Sequence, residues 1–390
     1  MVKTIGEIFD LFAGGDVDKG NFSIVKDSKH PYPVYSNALQ NEGLYGYTAI
    51  PRYRGNSITI TGRGSVGTPM YRAGDFDAII RLLVLTPKDK SVCVKFVSEY
   101  MRHCIAFPQE STGVPQLTVP QIRDIELSLP LLAEQKLITA VLSDMDAYIV
   151  SLEKLIAKKR AIKQGAMQEL LTGKRRLSGF SGEWMEKKVG DISDVTKLAG
   201  FEFTAHIVYS DRGRIIALRG LNVKFGKLNL DEMKYIDGSN FAKLSRSKLI
   251  KGDMLFTYVG TIGDVALVDG NDKYYLAPNV ALIRFRSDIN PQFMLYQFMS
   301  DDFMDSVINP LIASTTQAAL SMKNIRLFDA KIPSFDEQTA IAEILSCMDA
   351  ELDALSAKRA KAQQLKQGMM HELLTGNIKL TEEATDNGEN

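Results

Sequence analysis

EQKLITAVLSDMDAYIVSLEKLIAKKRAIKQGAMQELLTG, residues 134–173, decides how this chain is put together, because it occurs twice. Its second copy is EQTAIAEILSCMDAELDALSAKRAKAQQLKQGMMHELLTG, residues 337–376, aligned without a gap at a constant offset of about 203 residues. Roughly 22 of about 48 positions from Pro130/Pro333 to Leu177/Leu380 are identical. Chance does not produce such a match, so the chain is an internal duplication.

Each copy carries the spacing of a long helix. Ile138, Leu142, Met145, Ile149, Leu152 and Ile156 alternate steps of four and three, a coiled-coil seam. Ile341, Leu345, Met348, Leu352 and Leu355 repeat it in the same phase until Arg359 interrupts. A shifted seam then follows at Ile162, Ala166 and Leu170, and at Leu365, Met369 and Leu373. Gly173 and Gly376 suit the left-handed residue that ends a helix. One such helix would be read as any dimerising rod; two matched copies favour pairing within the chain, with these seam residues as the packing surface.

Outward from the helices, the chain divides into a globular domain at 1–130, a spacer helix at 131–173, a second domain at 174–333, a second spacer at 334–376, and an acidic tail at 377–390 expected to be disordered. In the first domain, residues 56–61 and 78–85 read as strands and 92–107 as a helix, with 117–129 a short turn and strand. In the second, 203–205 and 215–218 are short apolar stretches. Residues 253–258, 264–268 and 280–285 read as strands there, and 290–308 as a helix. Landmarks recur in order: IGEI at 5–8 against VGDI at 189–192, GSVG at 64–67 against GTIG at 260–263, and Ser111-Thr112 with Ile122-Arg123 against Ser314-Thr315 with Ile325-Arg326. Most residues between the landmarks differ. The frame is duplicated and its contents have diverged.

Length then constrains geometry. A helix of about 40 residues runs roughly 60 Å, and a domain of about 150 residues is roughly 40 Å across. Parallel helices would force the second domain to carry the chain back the full length; antiparallel ones would not. The expected fold is therefore α+β: two mixed α/β domains separated by two long antiparallel coiled-coil helices, one domain at each end, related by a pseudo-twofold axis.

Composition excludes little. The 390 residues hold 47 Lys plus Arg and 47 Asp plus Glu, and neutrality argues weakly against a nucleic-acid partner. Basic clusters at Lys158, Lys159, Arg160 and Lys163, and at Lys174, Arg175 and Arg176, leave room for a basic face. No signal peptide or membrane span is expected, and three cysteines without paired spacing suit a reducing compartment, so a cytoplasmic protein is expected. GRGSVG at 62–67 fits a dinucleotide fingerprint, but Pro69 and Gly74 spoil the helix that should follow, so a tight turn between strands is the better reading. NPQF at 290–293 approaches the tetrapeptide by which amino-methyltransferases hold adenine, yet its third residue is wrong and no cofactor loop precedes it. A helix start reads better. His30, His103, His206 and His371 share no metal-ligand spacing, and no phosphate loop or nucleophile elbow occurs. Neither catalytic nor metal-binding residues are expected in this chain.

A divergent domain followed by a matched helix that opens with PLLAEQ or PSFDEQ and closes with ELLTG, twice over and with GDMLFTYVGTIG at 252–263, resembles the specificity subunit of type I restriction-modification enzymes across essentially the whole chain. The first domain lacks the tryptophan (Trp184) with which the second opens. The resemblance implies that each variable domain recognises one half of a bipartite, asymmetric double-stranded DNA site, while the helices fix the gap and dock two methyltransferase subunits. It implies restriction subunits as further partners. S-adenosylmethionine, ATP and Mg2+ would serve those partners, none being held by this chain, and the methyl group would go to adenine N6.

Base edges are read by Arg, Lys, Asn, Gln, Ser or Thr on loops, and phosphates by other polar and basic groups. The DNA-binding candidates in the first domain are Arg52, Arg54, Arg63, Ser65, Arg72, Thr112 and Gln116. Those in the second are Arg219, Asn222, Lys224, Tyr258, Thr261, Ser314, Thr315 and Gln317. Each alone reads more readily as solvated surface; their gathering near the glycine turns gives them weight. The rival from another class is a non-enzymatic scaffold, two binding modules on a coiled-coil spacer, which predicts no salt-dependent DNA binding. A free-standing methyltransferase is disfavoured by the missing cofactor loop.

Overall fold

The computed structural model describes residues 2–108, 115–198, 205–313 and 319–380. The chain forms two compact units, Met1–Glu153 with Ala357–Asn390, and Lys154–Ser356. Four helices organise them: α1 (Val94–Cys104), α2 (Leu132–Leu170), α3 (Pro291–Met299) and α4 (Phe335–Leu374). Each long helix gives part of its length to each unit.

In the first unit, β1 (Phe9–Ala13), β2 (Ser57–Ile60), β3 (Pro69–Arg72) and β4 (Leu83–Pro87) form an antiparallel sheet in the order β1-β4-β2-β3. Successive residues of a strand face opposite ways. Ile58, Ile60, Leu83 and Leu85 accordingly join Val97 and Met101 of α1 in the main core, while Val84 turns to a smaller cluster with Phe76 and Leu82. In the second unit, β5 (Ser193–Lys197), β6 (Met254–Thr257), β7 (Val265–Leu267) and β8 (Val280–Phe285) take the equivalent order β5-β8-β6-β7. Met254, Phe256 and Ile283 pack with Phe293 and Phe298 of α3, and Leu255 and Leu282 face the other way. Around this shared frame the units differ. The first adds a four-stranded sheet through Tyr32–Tyr35 and Leu44–Thr48; the second adds a parallel pair, Ile216–Leu218 with Tyr274–Leu276, and a small hairpin.

The long helices run antiparallel in both units. In the first, Asp146 meets Lys366 and Glu134 Oε1 accepts from the Leu380 amide. In the second, Lys159 meets Glu351, Lys163 meets Asp349, and Arg176 meets Glu337. The seam residues Ile138, Leu142, Ile149, Leu152, Ile341 and Leu345 are buried, and Met145, Met348, Leu352 and Leu355 are half-buried. The shifted seam is only partly real: Ile162 and Leu365 are 47% and 54% exposed, and the small Ala362 is buried instead.

The EQ dipeptide has one structural job in both copies. Gln135 Oε1 accepts from the Cys93 amide and its Nε2 donates to the Pro130 carbonyl, both at 2.9 Å. Gln338 repeats this with the Asn290 amide at 2.8 Å and the Pro333 carbonyl at 3.0 Å. Cys93 and Asn290 are the N-caps of α1 and α3. One buried amide thus ties the start of each long helix to the start of the domain helix beside it. The glutamates latch the chain that leaves the other long helix, Glu337 through two 2.7 Å bonds from Arg176 and Glu134 through the Leu380 amide. Gly173 and Gly376 end the helices at φ 71° and 76°, the left-handed conformation glycine adopts freely.

Three element readings change. Residues 78–85 are not one strand, because Ile80 and Arg81 adopt φ 55° and 59° between Asp77–Ala78 and Leu83–Pro87. Residues 117–129 contain a helix, Val119–Arg123, whose start Thr118 and Gln121 cap reciprocally. The helix expected over 290–308 breaks at Ser300, whose extended backbone (ψ 144°) ends α3 and whose hydroxyl caps a new turn. Residues 199–204 and the tail beyond Leu380 lie outside the described residues.

Candidate nucleic-acid interface

Both glycine turns are hairpin tips, joining β2 to β3 and β6 to β7. They are built alike. Thr61 Oγ1 accepts from the Thr68 amide and Thr257 Oγ1 from the Asp264 amide. The Gly67 and Gly263 amides donate to the Thr61 and Thr257 carbonyls. Gly64 and Gly67 stand at φ 69° and 82°, and Gly260 and Gly263 at 79° and 101°. An antiparallel hairpin leaves no place for a nucleotide-binding helix, so the turn reading of GRGSVG holds. NPQF likewise starts α3, with the Asn290 side chain accepting from the Gln292 and Phe293 amides.

Beside each tip, one more strand-like segment docks through one equivalent bond: the Leu117 amide to the Gly62 carbonyl, and the Leu320 amide to the Tyr258 carbonyl, both 2.9 Å. The residues then paired across the seam are Arg63 with Gln116 and Val259 with Ala319. In the first unit the pair is polar, with Arg63 donating to Gln116 Oε1 at 3.4 Å. Its counterpart is apolar.

In the second unit the tip borders a groove of about 730 Å³. It brings together three of the expected residues, Arg219, Lys224 and Thr261, with Tyr209, Leu221, Lys234, Val259, Asp264 and Asn279. Arg219 Nη2 donates to the Glu232 carbonyl at 2.8 Å, while its buried Nε has no hydrogen-bond partner among the described residues. Lys234 is paired with Asp211, and Lys224 is exposed. Burial raises the Tyr209 hydroxyl above its usual range. Asn279 holds φ 68°, a conformation uncommon outside glycine that often marks functional loops.

In the first unit, Arg54 is 86% exposed and reaches Asp75 at 3.2 Å, and Ser65 is exposed on the hairpin tip. Left-handed residues gather nearby. Asn41 and Glu42 (φ 49° and 54°) and Ile80 and Arg81 lie on two loops bridged by Asn37, which donates to the Ile80 carbonyl and accepts from the Gly62 amide.

Four of the expected DNA contacts are otherwise employed. Arg72 is 3% exposed, lies 3.6 Å above the Tyr35 ring, and donates to Thr59 and the Glu42 carbonyl. Its burial lowers the guanidinium pKa. Arg52 is held by Asp77 through Nε, with Nη2 donating to the Asp16 and Ala78 carbonyls, and the Asp77 bond raises its pKa. Asn222 is fully buried: Oδ1 accepts from the Arg219 amide, and Nδ2 donates to the Asn229 and Glu232 carbonyls. Tyr258 is 9% exposed in the core, and burial pushes its hydroxyl pKa up. Arg72, Asn222 and Tyr258 shape the surface from beneath, while the tethered Arg52 side chain stays 41% exposed. Thr112, Ser314, Thr315 and Gln317 lie outside the described residues. Sequence reasoning missed Tyr209, Lys234, Asn279, Arg81 and Val259. Only Val259 carried a signal, its alignment with Arg63 one position before the matched glycines.

Among the described residues, no group of three or more His, Cys, Asp or Glu is placed to hold a metal, and no helix is long and apolar enough to cross a membrane.

Comparison with known proteins agrees with this architecture. The chain is 25% identical over 286 residues to the type I restriction enzyme MjaVIII specificity subunit of Methanocaldococcus jannaschii, covering 70% of this chain and 66% of that one. It is 33% identical over 139 residues to the type I restriction enzyme MpnII specificity subunit of Mycoplasma pneumoniae, covering 35% and 41%. The chain thus spans less than two thirds of these relatives' lengths. The crystal structure of a type I restriction-modification S subunit from M. genitalium shares the fold with a TM-score of 0.60 at 15% identity, over 96% of this chain and 95% of that one. The HsdS subunit from Thermoanaerobacter tengcongensis shares it at 0.52 and 12%, over 97% of both. The family model described as the type I restriction modification DNA specificity domain matches twice, at residues 1–164 and 181–367, and the chain belongs to that family.

Proposed function

We propose that the chain is the DNA-recognition subunit of a type I restriction-modification complex. Each domain reads one half of a bipartite, asymmetric site, and the paired helices fix the gap and dock two methyltransferase subunits. The chain itself performs no chemistry. Methyl transfer from S-adenosylmethionine to adenine N6 belongs to the methyltransferase subunits, and ATP- and Mg2+-dependent cleavage to restriction subunits, all acting in the cytoplasm where the DNA lies.

One observation carries this reading: two hairpin tips with matching backbone bonds and glycines present different chemistry at the same place, Arg63 with Gln116 in one and Val259 with Ala319 in the other. A duplicated frame with diverged tips suits two readers of unlike sequence. Exposed Arg54 and Lys224 suit phosphate contacts that set register. Arg63, Gln116, Ser65, Arg219 and Thr261 are the side chains of choice for base edges.

The test is a methylome. The chain and its methyltransferase subunit are expressed in a methylation-free host, and N6-methyladenine is mapped by single-molecule sequencing. Two short specified blocks around a fixed gap are expected, and exchanging residues 1–130 should change one block only. No new methylation from a soluble, associated complex would overturn the assignment.

A further inference from the structure

Val259 and Leu221 expose apolar surface where a reader of base edges would be expected to carry polar groups. Each is 38% exposed, and both line the groove of the second unit. Neither has freedom to turn inward. Val259 follows Tyr258, which is buried in the core, and its backbone is bridged to Ala319. Leu221 sits in the single turn Gly220–Asn222, and Asn222 is fixed by its two donated bonds and the bond it accepts. The shelf is therefore preorganised, the condition for a side chain that discriminates.

The polar rim says what meets it. Arg219 and Lys224 line the same groove with Lys234, whose charge Asp211 balances, against one lining carboxylate, Asp264, so the rim keeps a net positive charge that attracts a polyanion. An apolar shelf inside a cationic rim matches one feature of duplex DNA. In the major groove, thymine alone presents a methyl group, and apolar side chains read it. The first unit supplies the internal contrast, because the position of Val259 is taken there by Arg63, hydrogen-bonded to Gln116.

We propose that Leu221 and Val259 are specificity-determining residues that read the 5-methyl group of a thymine in the block recognised by the second domain. This rests on the DNA-recognition reading above and adds to it a chemical identity for one base pair.

The test is made on the DNA. With the site mapped and its blocks assigned, each thymine of the second-domain block is replaced singly by uracil, which removes only the methyl. Binding by the complex of this chain with its methyltransferase subunit is then measured. One replacement should weaken binding about fourfold, the effect of one buried methyl. The Leu221→Ala, Val259→Ala double variant should bind thymine and uracil forms alike. A mapped site in which that block holds no thymine, or in which no replacement matters, or in which the variant keeps the difference, overturns the inference and leaves the DNA-recognition reading intact. Absence of any mapped site overturns both.

Discussion

Lys366 Nζ lies 2.6 Å from Asp146 Oδ1, and the same pair recurs with the helices exchanged as Lys163 and Asp349. Lys163 and Lys366 occupy one position of the repeat, as do Asp146 and Asp349. One lysine and one aspartate per copy therefore make two cross-helix pairs, the signature of two duplicated helices laid antiparallel.

Reversing one charge should be mild and specific. Asp146→Lys sets like charges together at a half-exposed site and is expected to cost about 0.5–1 kcal/mol. Adding Lys366→Asp should recover most of it. Urea unfolding of the single and double variants reads the coupling, and a double variant no better than the sum would refute the pairing.

The helix-start glutamines should matter more. Gln135→Ala or Gln338→Ala removes two hydrogen bonds and leaves a buried amide and carbonyl unsatisfied, at roughly 2–3 kcal/mol. Similar losses are expected in the two copies, because these two bonds are the same and Gln338 adds only a long 3.4 Å bond from Nε2 to the Asp288 carbonyl. A large difference in denaturation midpoint between the two variants would contradict a shared role.

Tyr296 links α3 to the helix pair and sets an alkaline limit. Burial, and its donated bond to Asp349, push its hydroxyl up to about 12. The neutral form is favoured in the folded state, so this contribution is fully present below about pH 10, the unfolded value, and is lost as pH rises towards 12. Its size is on the order of 2 kcal/mol. Tyr296→Phe should be less stable at neutral pH yet lose less between pH 10 and 12. Parallel stability curves for both proteins would rule the assignment out.

Lys224 and Arg72 should separate binding from folding. Lys224→Ala is expected to weaken DNA binding for all sequences and to lower the slope of log affinity against log salt by about one. Arg72→Ala should cost roughly 2–3 kcal/mol through its lost ring contact and hydrogen bonds. The methylated motif should stay unchanged in whatever protein remains folded. A changed motif with normal stability would restore Arg72 to the reading surface.

The duplication, the long helices and their antiparallel sense were legible because a seam and a capping glycine are local patterns, and a gapless repeat admits few closures of the chain. Breaks at Ile80 and Ser300 were not, since left-handed or extended backbone at an ordinary residue is imposed by its surroundings. The site divided the same way. Residue type and a nearby glycine turn nominated Arg63, Ser65, Arg219, Lys224 and Thr261, which lie at the hairpin tips or the groove. The same signals nominated Arg72 and Asn222, which the fold consumes, because an arginine over a tyrosine ring and one over a phosphate are identical in sequence. The sequence by itself determined the repeat, its phase and the family to which it belongs, all carried by residues close along the chain. Only the tertiary structure decided which polar groups remain free and which apolar ones face the groove, because burial and hydrogen-bond satisfaction depend on segments such as Asn222 and Glu232, or Val259 and Ala319, that meet only when the chain has folded.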